Sequence, residues 1–323
     1  MTFNLPALNN RLFVTALMVL LLMIGAPLKS ADEHQRIKVF LLAGQSNMQG
    51  QGVVQMDHPK YYNGGKGNLL WAMKNSKSKS MMRHLRDAEG KWVVRDDVKI
   101  QFKSKDKVRK GKLTVGYTGY GGTSHIGPEL QFGHVVGDHY EAPVLLIKTA
   151  WGGKSLQVDF RPPSSSGDTG PFYTQMIKEI HEALATLEGK PYELAGFVWM
   201  QGWNDMVSKP AISEYADNLV NLAADLRVEF ESPNLPLVIG ELGNGGPAKE
   251  GSEMQRFRNA QKQGAQRIAH AKFVPTHPFA RSAEMSPNTG HGHHWFGNAE
   301  SYFLIGDALG KAIIALNQSE NLP

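Results

Sequence analysis

The sequence predicts an α/β fold in which a parallel sheet is covered by helices on both faces. Short apolar runs at Ile37–Leu42 (IKVFLL), Val144–Ile147 (VLLI), Phe197–Met200 (FVWM) and Leu235–Ile239 (LPLVI) read as buried strands. Helical patterns alternate with them. Each strand also runs into a polar, Gly-containing loop: AGQSNMQGQG, KTAWGGKS, QGWNDM or GELGNGG. Ligands of parallel sheets bind beyond the carboxyl ends of the strands, so these four loops gather the chemistry at one edge.

The helices follow from spacing. Thr174–Leu187 (TQMIKEIHEALATL) carries apolar residues at helical period, and Ala211–Phe230 does the same after Pro210, a favoured helix start. Glu253–Ala269 and Glu300–Leu316 are two further amphipathic helices. The stretch Tyr61–Lys112 is Lys-rich, Gly-punctuated and without helical period, and its WVVRDDVKIQF resembles a pair of strands. It reads as an insertion at about 61–112, forming a hairpin near the site. Its run Lys103–Lys112 (KSKDKVRKGK) has no interleaved aromatic residues, as a nucleic-acid stacking platform would need, so a solvated hairpin is expected and no nucleic-acid partner.

At the N-terminus, Arg11 precedes the apolar run Leu12–Ala26, followed by Pro27, Lys29 and a polar stretch. That is the layout of a signal peptide, expected over residues 1–31, and it implies a secreted or periplasmic protein. The apolar run is shorter than the roughly 20 residues that span a bilayer, so no membrane association is expected once the leader is removed. An uncleaved N-terminal anchor is the alternative. The chain has 323 residues, a formal net charge of +5 and no cysteine. Disulfides, thiolate zinc sites and cysteine nucleophiles are thereby excluded.

Gly44-Gln45-Ser46-Asn47 directly follows a buried strand. A serine hydroxyl becomes a useful nucleophile when a tight turn exposes it and a base takes its proton. Gly44 permits such a turn, and the amides after it can face an oxyanion. Gly202-Trp203-Asn204-Asp205 adds an amide, which can donate to an oxyanion without titrating, and a carboxylate. Gly290–Trp295 (GHGHHW) adds histidine, the commonest general base. Three histidines so close together could bind a metal, but no acidic or cysteine ligand accompanies them, so neither metal nor cofactor is expected.

Together these blocks resemble the SGNH hydrolases, and in detail the sialate O-acetylesterase-like branch related to carbohydrate esterase family 6. Matching stretches are GGTSHIGPELQFG (Gly121–Gly133), AWGGKSL (Ala150–Leu156), WMQGWND (Trp199–Asp205), Glu241-Leu242-Gly243, Asn259-Ala260-Gln261 and His294–Gly310. They cover the chain from about Ile37 onward. The resemblance implies a three-layer α/β/α sandwich with a flavodoxin-like parallel sheet over residues 36–320. It also implies an exported serine esterase that removes O-acetyl groups from carbohydrate.

Residue by residue, the resemblance makes Ser46 the nucleophile and His294 the base, with His291 and His293 as competing candidates. Oxyanion donors would be the Ser46 amide, the Asn204 side chain and a glycine, with Gly122 preferred over Gly121 and Gly127. Gln45, Gln201, Trp151 and Lys154 would line the substrate pocket. Trp151 would stack on a sugar or sit in the core, and Lys154 would pair with an acidic sugar or lie on the surface. A phosphate-loop reading of WGGKS fails because Lys148 stands where the first glycine should be. The sequence departs from the family at the triad acid. Where relatives place Asp three residues before the base, His291 precedes His294 and Asn288 precedes His291. The acid is therefore expected from Asp205 first and Glu284 second, or the site works as a Ser–His dyad. A non-catalytic carbohydrate-binding protein and an esterase directed at lipid or thioester are the alternative functions.

Overall fold

The computed structural model describes residues 1–2, 36–104 and 107–320; residues 3–31 of the expected leader lie outside the described residues. Seven strands form one sheet: β1 (Ile37–Gly44), β3 (Arg95–Ser104), β4 (Lys107–Leu113), β6 (Val144–Ala150), β7 (Tyr192–Met200), β8 (Leu237–Gly240) and β9 (Ala271–Val274). Their order across the sheet is β4-β3-β6-β1-β7-β8-β9. All neighbours are parallel except the antiparallel β3–β4 hairpin. A separate two-stranded pair joins β2 (Gly52–Val53) to β5 (His125–Ile126).

Side chains alternate across each strand, so a strand buried on both faces feeds two cores. In β1, Phe40 and Leu42 enter one core, while Val39, Leu41 and Ala43 enter the other. Helices α3 (Glu129–His139) and α8 (Ala299–Glu320) pack on the first face. On the second lie α4 (Pro171–Ala185), α6 (Lys209–Glu229) and α7 (Glu253–Arg267). This is the three-layer α/β/α arrangement that the sequence predicts. Among the described residues no helix is long and apolar enough to cross a membrane.

The stretch 61–112 differs from a simple insertion. Its second half supplies two strands of the central sheet, β3 lying directly beside β6. Val98, Ile100 and Phe102 are buried there while Lys99 between them is exposed. One face of β3 is core and the other solvent, which gives an alternating pattern rather than an apolar run. Lysines on β4 suit an edge strand, where charge discourages pairing with other chains. Its first half holds α2 (Leu69–Asn75) and a 3₁₀ turn at Lys79–Leu85, whose Leu69, Ala72, Met82 and Leu85 join the first core.

Register brings the functional loops together. Gly44 at the end of β1 is level with Ala150 of β6 on one side and Met200 of β7 on the other. The chain leaves all three strands at the same height.

Candidate active site

The turn that carries Ser46 begins at Gly44, whose φ is 153° and where a Cβ would lie 2.1 Å from the Met200 carbonyl oxygen. Only glycine fits so close to the last turn of β7. The chain then forms α1 (Ser46–Gln49), one helical turn anchored in the core by Met48. Ser46 and Asn47 are its first residues, and their amides have no acceptor among the described residues, as expected of leading N–H groups. The Ser46 hydroxyl likewise has no hydrogen-bond partner among them.

Gln45 is buried, and its side chain faces the protein rather than a ligand. Its Oε1 accepts from the amides of Gly202 and Trp203 at 2.9 Å each, and its Nε2 donates to Asn204 Oδ1 at 3.3 Å. Gln45 therefore fixes the orientation of the Asn204 amide, whose Nδ2 has no acceptor among the described residues. These bonds add positioning of the Gly202–Asn204 turn to the pocket-lining place read from the sequence. Gly202, with φ 156°, sits where a Cβ would meet the Phe257 ring at 2.4 Å, so α5 (Trp203–Met206) starts pressed onto α7.

Asp205 is fully buried and committed elsewhere than the histidines. Its Oδ1 accepts from the amides of Leu156 at 3.1 Å and Gln157 at 2.9 Å. Its Oδ2 accepts from the Leu156 amide at 2.9 Å and from Gln201 Nε2 at 2.5 Å. Burial pushes its carboxyl up to about 6 against the pull of these donors. Asp205 thus pins the loop after β6 to the loop after β7, and the triad-acid role read from the sequence is replaced by this one. Gln201 is buried as well, donating also to the Lys154 carbonyl at 2.8 Å and accepting from the Tyr215 hydroxyl at 3.0 Å. It too is tied into the scaffold, and with Gln45 it lines a small cavity shared with Asn47 and Asn244.

The second candidate acid, Glu284, is exposed on a short turn. A hydrogen bond from Ser282 holds its carboxyl below the usual range, and no histidine meets it. Elsewhere Glu241 pairs with His277 and Glu229 with His181, but among the described residues no carboxylate pairs with His291, His293 or His294.

The histidine loop is held by its backbone instead. Asn47 Nδ2 donates to the His293 carbonyl at 3.1 Å, and Asn244 Nδ2 donates to the same oxygen at 3.0 Å and to Gly292 O at 3.3 Å. The Tyr302 hydroxyl bridges Asn47 Oδ1 at 2.8 Å and the His294 carbonyl at 3.3 Å. Arg258 in turn donates to the carbonyls of Leu242, Asn244 and Gly246, shaping the loop that presents Asn244. Past His294, Trp295 and Phe296 both have φ of 54°, a left-handed strain that bulky residues tolerate only when their surroundings impose it. The rings of His293 and His294 lie 4.1 Å apart, and Trp203 stands 5.7 Å from His293. Burial first, and then His293 and His291, push His294 down to about 4, so its imidazole is neutral at ordinary pH. No hydrogen bond joins an imidazole to the Ser46 hydroxyl among the described residues. The direct link between the two loops is Asn47, the residue after Ser46.

The glycine found against the nucleophile is Gly152. A Cβ there would be 3.6 Å from Ser46 Cβ and 3.1 Å from Gln49 Oε1, and its amide has no acceptor among the described residues. Gly122 lies on an exposed turn with nothing within 4 Å of its Cβ direction, and the Gly127 amide donates to Glu129 at 2.9 Å. Of these glycines it is Gly152, and not Gly122 as expected from the sequence, that lies beside Ser46. The resemblance points to the Gly121-Gly122 turn, whereas the level strand ends bring the glycine pair following β6 beside Ser46. Trp151 is half-buried against Phe160 and Phe172, with ring centroids at 5.9 and 5.4 Å. Lys154 reaches Asp159 at 3.1 Å and lies 4.1 Å over the Phe172 ring, so its charge already has a partner.

Comparison with known proteins identifies the family and the fold. Residues 36–314 match the family described as "Carbohydrate esterase, sialic acid-specific acetylesterase". A probable carbohydrate esterase of Arabidopsis thaliana is 23% identical over 213 residues, 65% of this chain and 70% of that protein. A solved Arabidopsis thaliana structure superposes with TM-score 0.58 at 17% identity, over 87% of this chain and 98% of its own. A carbohydrate acetylesterase from Xanthomonas citri gives 0.56 at 16% identity, over 88% of this chain and 57% of its own. NanS gives 0.54 at 14% identity, over 88% and 98%. These likenesses show a shared fold, and the family match spans most of the sequence. The chain belongs to the sialic acid-specific acetylesterase family of carbohydrate esterases.

Proposed function

We propose that this protein is an exported serine esterase that removes O-acetyl groups from carbohydrate through an acyl-enzyme. His294 takes the Ser46 proton as the hydroxyl attacks the ester carbonyl. The resulting oxyanion is held by the Ser46 amide, the Gly152 amide and Asn204 Nδ2. Collapse expels the sugar hydroxyl, which regains its proton from His294. Water, deprotonated by the same imidazole, then attacks the acyl-enzyme and releases acetate. Negative charge growing beside the imidazole raises its proton affinity during each attack, which suits a base that rests neutral. The base is oriented through its backbone by Asn47, Asn244 and Tyr302, so the site works as a Ser–His dyad.

The observation that carries this reading is the setting of one hydroxyl: among the described residues Ser46 Oγ has no hydrogen-bond partner, Gly152 stands against it, and Gln45, the residue before Ser46, holds Asn204 by its Oδ1. Acetate release from acetylated xylan, O-acetylated sialic acid and p-nitrophenyl acetate tests it. Ser46→Ala and His294→Ala should each remove activity, by about 10³-fold or more. Undiminished release by Ser46→Ala would refute the assignment. The lack of a carboxylate at the histidines among the described residues favours a second reading, a glycan-binding protein without turnover. It requires glycan affinity with no acetate release from the wild type.

A further inference from the structure

Lys148 sits on β6, four residues before Gly152, with a completely buried side chain. Its ammonium group has three donors, and each finds an acceptor: the Gln49 carbonyl at 2.9 Å, the Tyr117 carbonyl at 2.8 Å and Glu129 Oε2 at 2.8 Å. Glu129 is itself buried, and its other oxygen accepts from the Gly127 amide at 2.9 Å. Gly127 is pressed against Gly50, where a Cβ would lie 2.6 Å from Gly127 Cα. Three backbone segments therefore meet on one ion pair. They are the end of the helical turn that starts at Ser46, the start of the loop carrying Tyr120, and the turn leading into α3. Tyr120 closes the circle, its hydroxyl donating to Gln51 Oε1 at 2.5 Å.

A buried ion pair is a poor source of stability, because desolvation offsets the attraction and apolar replacements do as well or better. What it supplies is direction. Gln49 ends the turn begun by Ser46, so its carbonyl has no partner within that helix, and a fixed cation there sets the tilt of the whole turn. We propose that Lys148, balanced by Glu129, is a positioning residue that holds the Ser46 turn against Gly152, so that its loss slows acylation without weakening substrate binding. This rests on Ser46 being the nucleophile.

The test uses the full chain and three readouts: thermal transition, kcat and KM on p-nitrophenyl acetate, and the rate of Ser46 labelling by a fluorophosphonate. Lys148→Met alone strands a buried carboxylate and should fold poorly. Lys148→Met with Glu129→Gln removes both charges and should fold. In that double variant kcat and labelling rate should fall about tenfold or more, with KM within about twofold. A folded double variant that labels and turns over at the wild-type rate overturns the proposal. Should it not fold, Glu129→Asp, which keeps the charges but shortens the acid, is read instead. Labelling about threefold slower at unchanged KM supports positioning, and wild-type labelling overturns it. Ser46→Ala separates the two levels. Activity surviving there removes the esterase reading itself, whereas an inactive Ser46→Ala beside a fully active double variant removes only the role of Lys148.

Discussion

Asp205→Asn separates a scaffold from a catalytic acid. Between the ordinary carboxyl value of 3.8 and about 6, at 1.36 kcal/mol per tenfold change in proton affinity, keeping Asp205 ionised in the folded chain costs about 3 kcal/mol. The sign follows from the raised value. The native state holds the proton more tightly than the unfolded state, so this group's contribution to stability falls as pH rises from about 4 to about 6, then levels off. A neutral amide removes that cost. It also turns an N–H₂ toward Gln201 Nε2 or the Leu156 amide, leaving a buried donor unmet at about 1–3 kcal/mol. The two effects nearly cancel, so urea unfolding at pH 7 should change by less than about 2 kcal/mol. The difference between variant and wild type should slope between pH 4 and 6 and be flat above. Because Asp205 touches no histidine, kcat should fall less than about tenfold. A loss of about 10⁴ in an intact fold, the size seen when a triad aspartate becomes asparagine, would refute the reasoning.

Two further outcomes follow from the site. With His294 held down to about 4 by burial and its neighbours, kcat/KM on a neutral ester should decline only as pH falls through about 4. His293→Gln should move that limb upward, and a wild-type limb near 6.5 would contradict the burial of the base. Gly152→Ala places a methyl 3.1 Å from Gln49 Oε1 and 3.6 Å from Ser46 Cβ. The amide N–H is kept, so crowding alone should slow fluorophosphonate labelling by about threefold with little change in thermal transition, and labelling at the wild-type rate would show that Gly152 does not pack closely on the Ser46 turn.

Burial decided what was legible in the sequence. The runs in β1, β6, β7 and β8 stand out because helices cover them on both sides. β3 is legible only as part of a hairpin, its place in the central sheet masked because Lys99 and Gln101 alternate with its core residues, and β9 is hidden because its AKFV is short and its Lys272 is exposed at the sheet edge. Ser46 and the Gly202–Asp205 block are legible as motifs placed after strands. Which way their polar side chains turn is not. Gln45, Gln201 and Asp205 could face a ligand or the protein, and partners such as Leu156, 49 positions from Asp205, decide it. Asn244 and Tyr302 carry no local signature, since their work is to bond carbonyls that any residue would provide.

That indifference gives the histidine loop an unusual freedom. The two asparagines grip the peptide oxygen at position 293, so their hold is blind to the side chain there. Position 293, next to the base and facing Trp203, can be exchanged for polar, aromatic or small residues while its neighbour keeps its place. It is a natural dial for tuning the basicity of the imidazole beside it, without rebuilding the machinery underneath.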